Sequence, residues 1–157
     1  MMPAPNTKHR VKPGEMKPGI SSYTYTWAIG VPGNKPQNPM TIYRLMERAT
    51  ELDVRVVQVA DNLPLDEFPD TELRKIRNFA DELGIQIEAG SKKMTPVNLE
   101  KYIRIAAFLG SPILRFVIDG DGFQPEMQEI HSIIRYALPL LEANRIVLAI
   151  ENHDRFK

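Results

Sequence analysis

Cysteine is absent from the 157 residues, which excludes a disulfide-stapled scaffold, a thiolate metal site and a cysteine nucleophile. An excess of charge is missing too. Lys and Arg number 20, as do Asp and Glu, so no overall field argues for nucleic acid or an anionic membrane as partner. No apolar stretch approaches the roughly 20 residues of a membrane span, and the N-terminus lacks the apolar core of a secretory signal. The expectation is a cytoplasmic protein. Phosphate-cradling loops of the GxGxxG or GxxxxGKS/T type are lacking after the first strand, as are a GxSxG elbow and an HExxH helix. Nucleotide binding and the commonest hydrolase chemistries therefore have no support.

What is present is alternation. Residues 1–18, with four prolines and several basic residues, cannot bury enough apolar surface to offset ordering and read as a flexible N-terminal tail. From 19 onward, strand patterns at 20–26, 54–59, 85–89, 113–118 and 147–150 alternate with helical ones. The helices begin near Asn38-Pro39, Thr71, Thr95-Pro96 and Pro125, and Gly84 and Gly110 supply C-terminal stops. Pro139 is expected to kink the last helix. Strictly alternating elements imply a parallel sheet with right-handed crossovers. The unit length is close to the roughly 31 residues of a (β/α)8 barrel.

Side-chain parity separates that barrel from an open doubly wound sheet. One parity is apolar throughout: Val57 and Val59, Ile85 and Ile87, Leu114 and Phe116, Leu148 and Ile150. The other carries polar groups: Gln58, Gln86 and Glu88, Arg115, Glu151 and His153. An apolar outer face under helices and a partly polar lumen is the barrel arrangement. The fold class read here is α/β, a TIM barrel present as about its first five strands and four helices over 19–157. The apolar run Val147 to Ile150 is expected to be a strand buried on both faces.

Ligands bind at the carboxyl ends of parallel strands, which makes Glu151, His153, Arg115, Glu88 and Asn62 the candidates. Glu151 and His153, two apart, both point into the barrel mouth. A carboxylate there can bind a hard divalent cation or act as a proton-transfer base, and His153 can be a ligand, a substrate donor or an orienting partner. One carboxylate does not make a metal site. Arg115 could hold a substrate hydroxyl or phosphate, although pairing with Glu88 on the adjacent strand is the favoured reading. Asn62 can reach substrate but reads first as a cap of its own loop. Tyr23, Tyr25 and Trp27 could wall a sugar pocket. Asp119-Gly120-Asp121-Gly122 lacks the later ligands of a calcium loop and reads as a turn.

The element order, the endings VVQVADN, IQIEAG and ILRF of strands two to four, and above all LAIENHD at strand five resemble the xylose isomerase-like TIM-barrel family. The resemblance covers residues 19–157 and about the first five-eighths of such a barrel. It implies a divalent-metal-dependent isomerase or epimerase (Mn, Mg, Co or Zn) acting on a sugar, sugar phosphate or polyol by proton transfer next to a carbonyl. Glu151 would be a metal ligand and one of a pair of acid/base carboxylates, with His153, Arg115, Glu88 and Asn62 toward substrate. The other ligands would lie on later strands, so the 157 residues alone are expected to be inactive, to bind metal weakly if at all, and to self-associate through open sheet edges. Two other readings are a non-catalytic barrel fragment or binding module, and an endonuclease IV-like repair enzyme. The latter is disfavoured by the absence of histidine at the ends of strands three and four.

Overall fold

The computed structural model describes residues 17–152; His153 and most of the proposed tail lie outside them. Five parallel strands, β1 (Gly19–Ser21), β2 (Val56–Val59), β3 (Gln86–Ser91), β4 (Ile113–Val117) and β5 (Val147–Glu151), form one sheet in sequential order. A doubly wound sheet would reverse its order midway; an unbroken sequential order is the arc of a barrel. The chain therefore folds as part of a (β/α) TIM barrel.

The helices are α1 (Thr26–Ile29), α2 (Ile42–Glu51), α3 (Asp70–Leu83), α4 (Pro96–Leu109) and α5 (Met127–Asn144). Their ends follow local chemistry. Thr95 accepts from the Asn98 amide at the start of α4, and Gly84 and Gly110 close α3 and α4 in the left-handed conformation. The α2 cap is Thr41, accepting from Arg44, rather than Asn38. Helix α5 runs on through Pro139.

The core lies between the helices and the outer face of the sheet. Val57, Val59, Ile87, Leu114 and Phe116 pack there with Leu45, Met46, Ile76, Leu99 and Ile103, all buried. The opposite parity faces the lumen, and strand register places it in rows. Ser21, Gln58 and Glu88 are level with one another, and Gly90, Arg115 and Ala149 share another row.

Two expectations are corrected. The first strand ends at Ser21 instead of running to 26. Ser22 is fully buried, donating to Asn62 Oδ1 at 2.5 Å and accepting from the Ala60 amide at 2.9 Å. That pins the chain into a 3-10 turn over Ser22–Tyr25 despite its strand-forming residues. β5 is not buried on both faces: Val147 is 63% and Ile150 42% exposed. It is the end strand of the described sheet, with β4 as its one neighbour.

Candidate active site at the carboxyl ends of the strands

Each strand sends a polar side chain to the same end of the arc. Tyr23 comes from the turn after β1, Asp61 from just past β2, Lys92 from just past β3, Arg115 from β4 and Glu151 from the last position of β5. With Asp119 to Gln124 they line an open cleft of about 480 Å³. The loop after β4 is a tight turn, Gly120 and Phe123 exchanging backbone hydrogen bonds. It is tied to the segment after β3 by the Lys93 and Met94 amides, which donate to Asp119 and Ile118 at 3.0 and 2.9 Å.

At the centre is Arg115, whose side chain is only 11% exposed. Its Nε donates to Glu151 Oε2, and its Nη1 lies 3.5 Å from Asp61 Oδ1. The Tyr23 ring lies 5.8 Å from the guanidinium carbon, and the Tyr23 hydroxyl donates to Asp61 Oδ2 at 2.9 Å. Lys92 reaches Asp121 at 3.3 Å and Asp61 at 3.9 Å. Burial works against the Arg115 charge, but the hydrogen bond to Glu151 and the fields of Glu151 and Asp61 outweigh it and raise its pKa. Burial, the bond to Asp61 and the Asp61 charge push the Tyr23 phenol up to about 12. Tyr23 is thus a hydrogen-bond donor and not a base at neutral pH. Among the described residues, four carboxylates, those of Asp61, Asp119, Asp121 and Glu151, line the cleft with two cations, Lys92 and Arg115. The cleft favours a polyhydroxylated or cationic guest over a polyanion.

The expected Arg115–Glu88 pairing does not form, and Arg115 is held by Glu151 and Asp61 instead. Register is the reason: Gly90 lies opposite Arg115, which leaves Glu88 one row nearer the amino ends of the strands. Glu88 lines a separate cavity of about 1410 Å³ with Ser21, Gln58 and Gln86. Burial raises its pKa, opposed by a 3.4 Å bond from Gln86. Asn62 uses its carbonyl oxygen on Ser22, and its buried Nδ2 has no acceptor among the described residues; it braces the loop rather than lining the cleft. Asp61 and Lys92 are the residues that sequence reasoning missed. The signal for Asp61 was its place just past the carboxyl end of β2, the same end of the sheet that singled out Glu151.

Among the described residues, no three His, Cys, Asp or Glu side chains gather closely enough to hold a metal ion. The carboxylates that line the mouth are those of Asp61, Asp119, Asp121 and Glu151, and one Glu151 oxygen accepts from Arg115. Residues 17–152 do not make a metal centre by themselves.

A sequential parallel βα arc with polar side chains at its carboxyl ends is part of a (β/α) barrel with its polar mouth at the end where this fold binds ligands. No protein-family model matches the chain. It is 27% identical over 139 residues to a 3-oxo-isoapionate decarboxylase of Pectobacterium atrosepticum, which covers 88% of this chain and 50% of that protein. In structure it is similar to D-psicose 3-epimerase with D-tagatose from Clostridium cellulolyticum H10, with TM-score 0.68, 13% identity, and 90% and 54% of the two chains covered. It is also similar to a xylose isomerase domain-containing protein of Salmonella typhimurium LT2, with TM-score 0.61, 17% identity, and 92% and 54% covered. The fold is thus that of the xylose isomerase-like barrels, in agreement with the resemblance carried by the strand endings. The chain spans about half the length of these relatives.

Proposed function

We propose that the intact protein acts on a carbohydrate at a carbon next to a carbonyl, as an isomerase or epimerase. The observation that carries this reading is the Glu151 carboxylate, placed at the mouth end of β5 and held by the Arg115 guanidinium. A carboxylate so oriented can take a proton from a bound sugar and return it. The hydroxyl-compatible lining of Lys92 and Asp119 would meet the substrate's hydroxyls. A divalent ion belongs to this proposal only with ligands from outside residues 17–152, and no step is assigned to it. His153 is proposed toward substrate on the strength of its spacing from Glu151.

A second reading has a specific observation in its favour, the 27% identity to a 3-oxo-isoapionate decarboxylase. Loss of CO2 from a 3-oxo acid and loss of a proton beside a carbonyl both leave the electron pair delocalised onto the carbonyl oxygen. The same mouth could serve either reaction. The test is to incubate the intact protein with Mn²⁺ in D2O, against D-psicose and D-tagatose and separately against a 3-oxo sugar acid, following deuterium uptake and CO2 release. Deuterium at the carbon beside the carbonyl, lost in Glu151→Gln, is the expected result. CO2 release without exchange selects the second reading, and neither event on any of these compounds overturns both.

Taken as a separate polypeptide, the 157 residues are proposed to self-associate through β1 and β5, the end strands of the described sheet, since unpaired parallel edges are templates for further pairing.

A further inference from the structure

Arg115 is gripped on both sides. Glu151 accepts from its Nε, while Asp61 stands at its Nη1 and the Tyr23 ring lies against the guanidinium. Tyr23 in turn fixes Asp61 through its hydroxyl. The stem of Arg115 lies beside Gly90, where a Cβ would come within 3.4 Å of Arg115 Cδ. This arrangement is costly. Asp61 Oδ1 and Arg115 Nη1 are both buried and neither has a hydrogen-bond partner among the described residues. Replacing such buried charges with apolar groups is often neutral or stabilising, so their retention at the mouth speaks to the site more than to the fold.

We propose that Asp61 and Tyr23 are positioning residues: acting through Arg115, they set the direction in which the Glu151 carboxylate is held. The consequence for turnover rests on Glu151 being the working carboxylate, as proposed above; the geometric content does not. Tyr23, Asp61, Arg115 and Glu151 form a hydrogen-bonded and ionic chain from the turn after β1 to the end of β5. It crosses the mouth without depending on backbone pairing between β1 and β5. Outer partners that orient a working group typically contribute about 10- to 100-fold to activity when such groups are removed.

The test reads the Arg115 Nε–Hε group of the intact protein by ¹⁵N NMR, with Glu151→Gln locating the resonance. In the unmutated protein it is expected to be shifted downfield and to exchange slowly with solvent. Asp61→Asn and Tyr23→Phe should each retain a cooperative melt yet move this resonance and speed its exchange by about tenfold or more. On any sugar that the protein turns over, both variants should lose kcat by about 10- to 100-fold, with KM within about threefold. Unchanged Hε shift and exchange in the folded variants overturns the proposal, as does a rise in KM with kcat intact, which would make these residues substrate contacts. If the unmutated protein turns over none of the sugars, the functional reading falls, and the NMR result alone decides this one.

Discussion

Arg115 and Glu151 sit on adjacent strands with their side chains joined diagonally. Glu151 is level with Val117 in the register, two residues beyond Arg115, and the guanidinium leans toward the mouth to meet it. The pair is unevenly wet, Arg115 being 11% and Glu151 41% exposed. Breaking it from the arginine side also takes a cation from the mostly buried Asp61 carboxylate, which keeps the Tyr23 hydroxyl and Lys92. Arg115→Met should therefore cost about 1–3 kcal/mol, below the 3–5 kcal/mol of a fully buried pair. Urea denaturation at neutral pH measures it, and a cost under about 0.5 kcal/mol would mean that solvent already screens the cluster.

Glu151→Gln keeps the volume and loses the charge and the basicity. In the intact protein it should fold normally and lose about 10²- to 10⁴-fold in turnover. Side-by-side rate and melting measurements separate the two effects; full activity would remove Glu151 from the chemistry.

Ser22 satisfies two partners from inside the protein, the Ala60 amide and the Asn62 side chain. Ser22→Ala leaves both without it and should destabilise by about 1–3 kcal/mol. Because it also frees the turn that carries Tyr23, the alkaline ultraviolet titration of Tyr23 should move toward the ordinary tyrosine range.

That titration has a sign. Burial and Asp61 push the Tyr23 phenol from its ordinary 10.0 up to about 12, and burial with the Glu72 bond does the same for Tyr43. A group whose folded pKa is raised contributes stability that is present below its unfolded pKa and lost as pH rises through the folded value. Stability should accordingly fall between about pH 10 and pH 12. Tyr23→Phe and Tyr43→Phe should each flatten that fall, as seen in melts across the range.

Glu88 carries the same sign at the acid end, since burial raises its pKa. Its contribution is present at low pH and lost as the carboxyl ionises. Glu88→Gln should raise the melting temperature at pH 7 and leave it unchanged at pH 3. Equal melts at both values would show Glu88 to be fully solvated.

As a separate polypeptide, the 157 residues should show a mass by light scattering that climbs with concentration. Val147→Lys with Ile150→Lys, which charges the end strand at two exposed apolar positions, should lower it. A monodisperse monomer that binds Mn²⁺ tightly in calorimetry would contradict both the edge argument and the missing-ligand argument.

The order of elements was readable because helices and strands announce themselves locally. Thr95, Gly84 and Gly110 mark helix ends, and the two-residue period puts Arg115 and Glu151 on one face. What was not readable is non-local. Whether Arg115 meets Glu88 or Glu151 depends on the stagger between β3 and β4, and no single strand encodes that. Asp61 lies two residues past the end of β2, where parity no longer predicts direction. The tyrosines after Ser22 favour a strand by propensity, and a buried serine overrules them.

Each bond that builds the mouth spans a long stretch of chain: 38 residues from Tyr23 to Asp61, 36 from Arg115 to Glu151 and 40 from Ser22 to Asn62. Helices form from neighbours, but these links close large loops and so come with the docking of whole units. The mouth is therefore a late product of folding and an early casualty of fraying at β1 or β5. On gentle heating or mild urea, the Arg115–Glu151 link should part while the helical circular dichroism still reads as native.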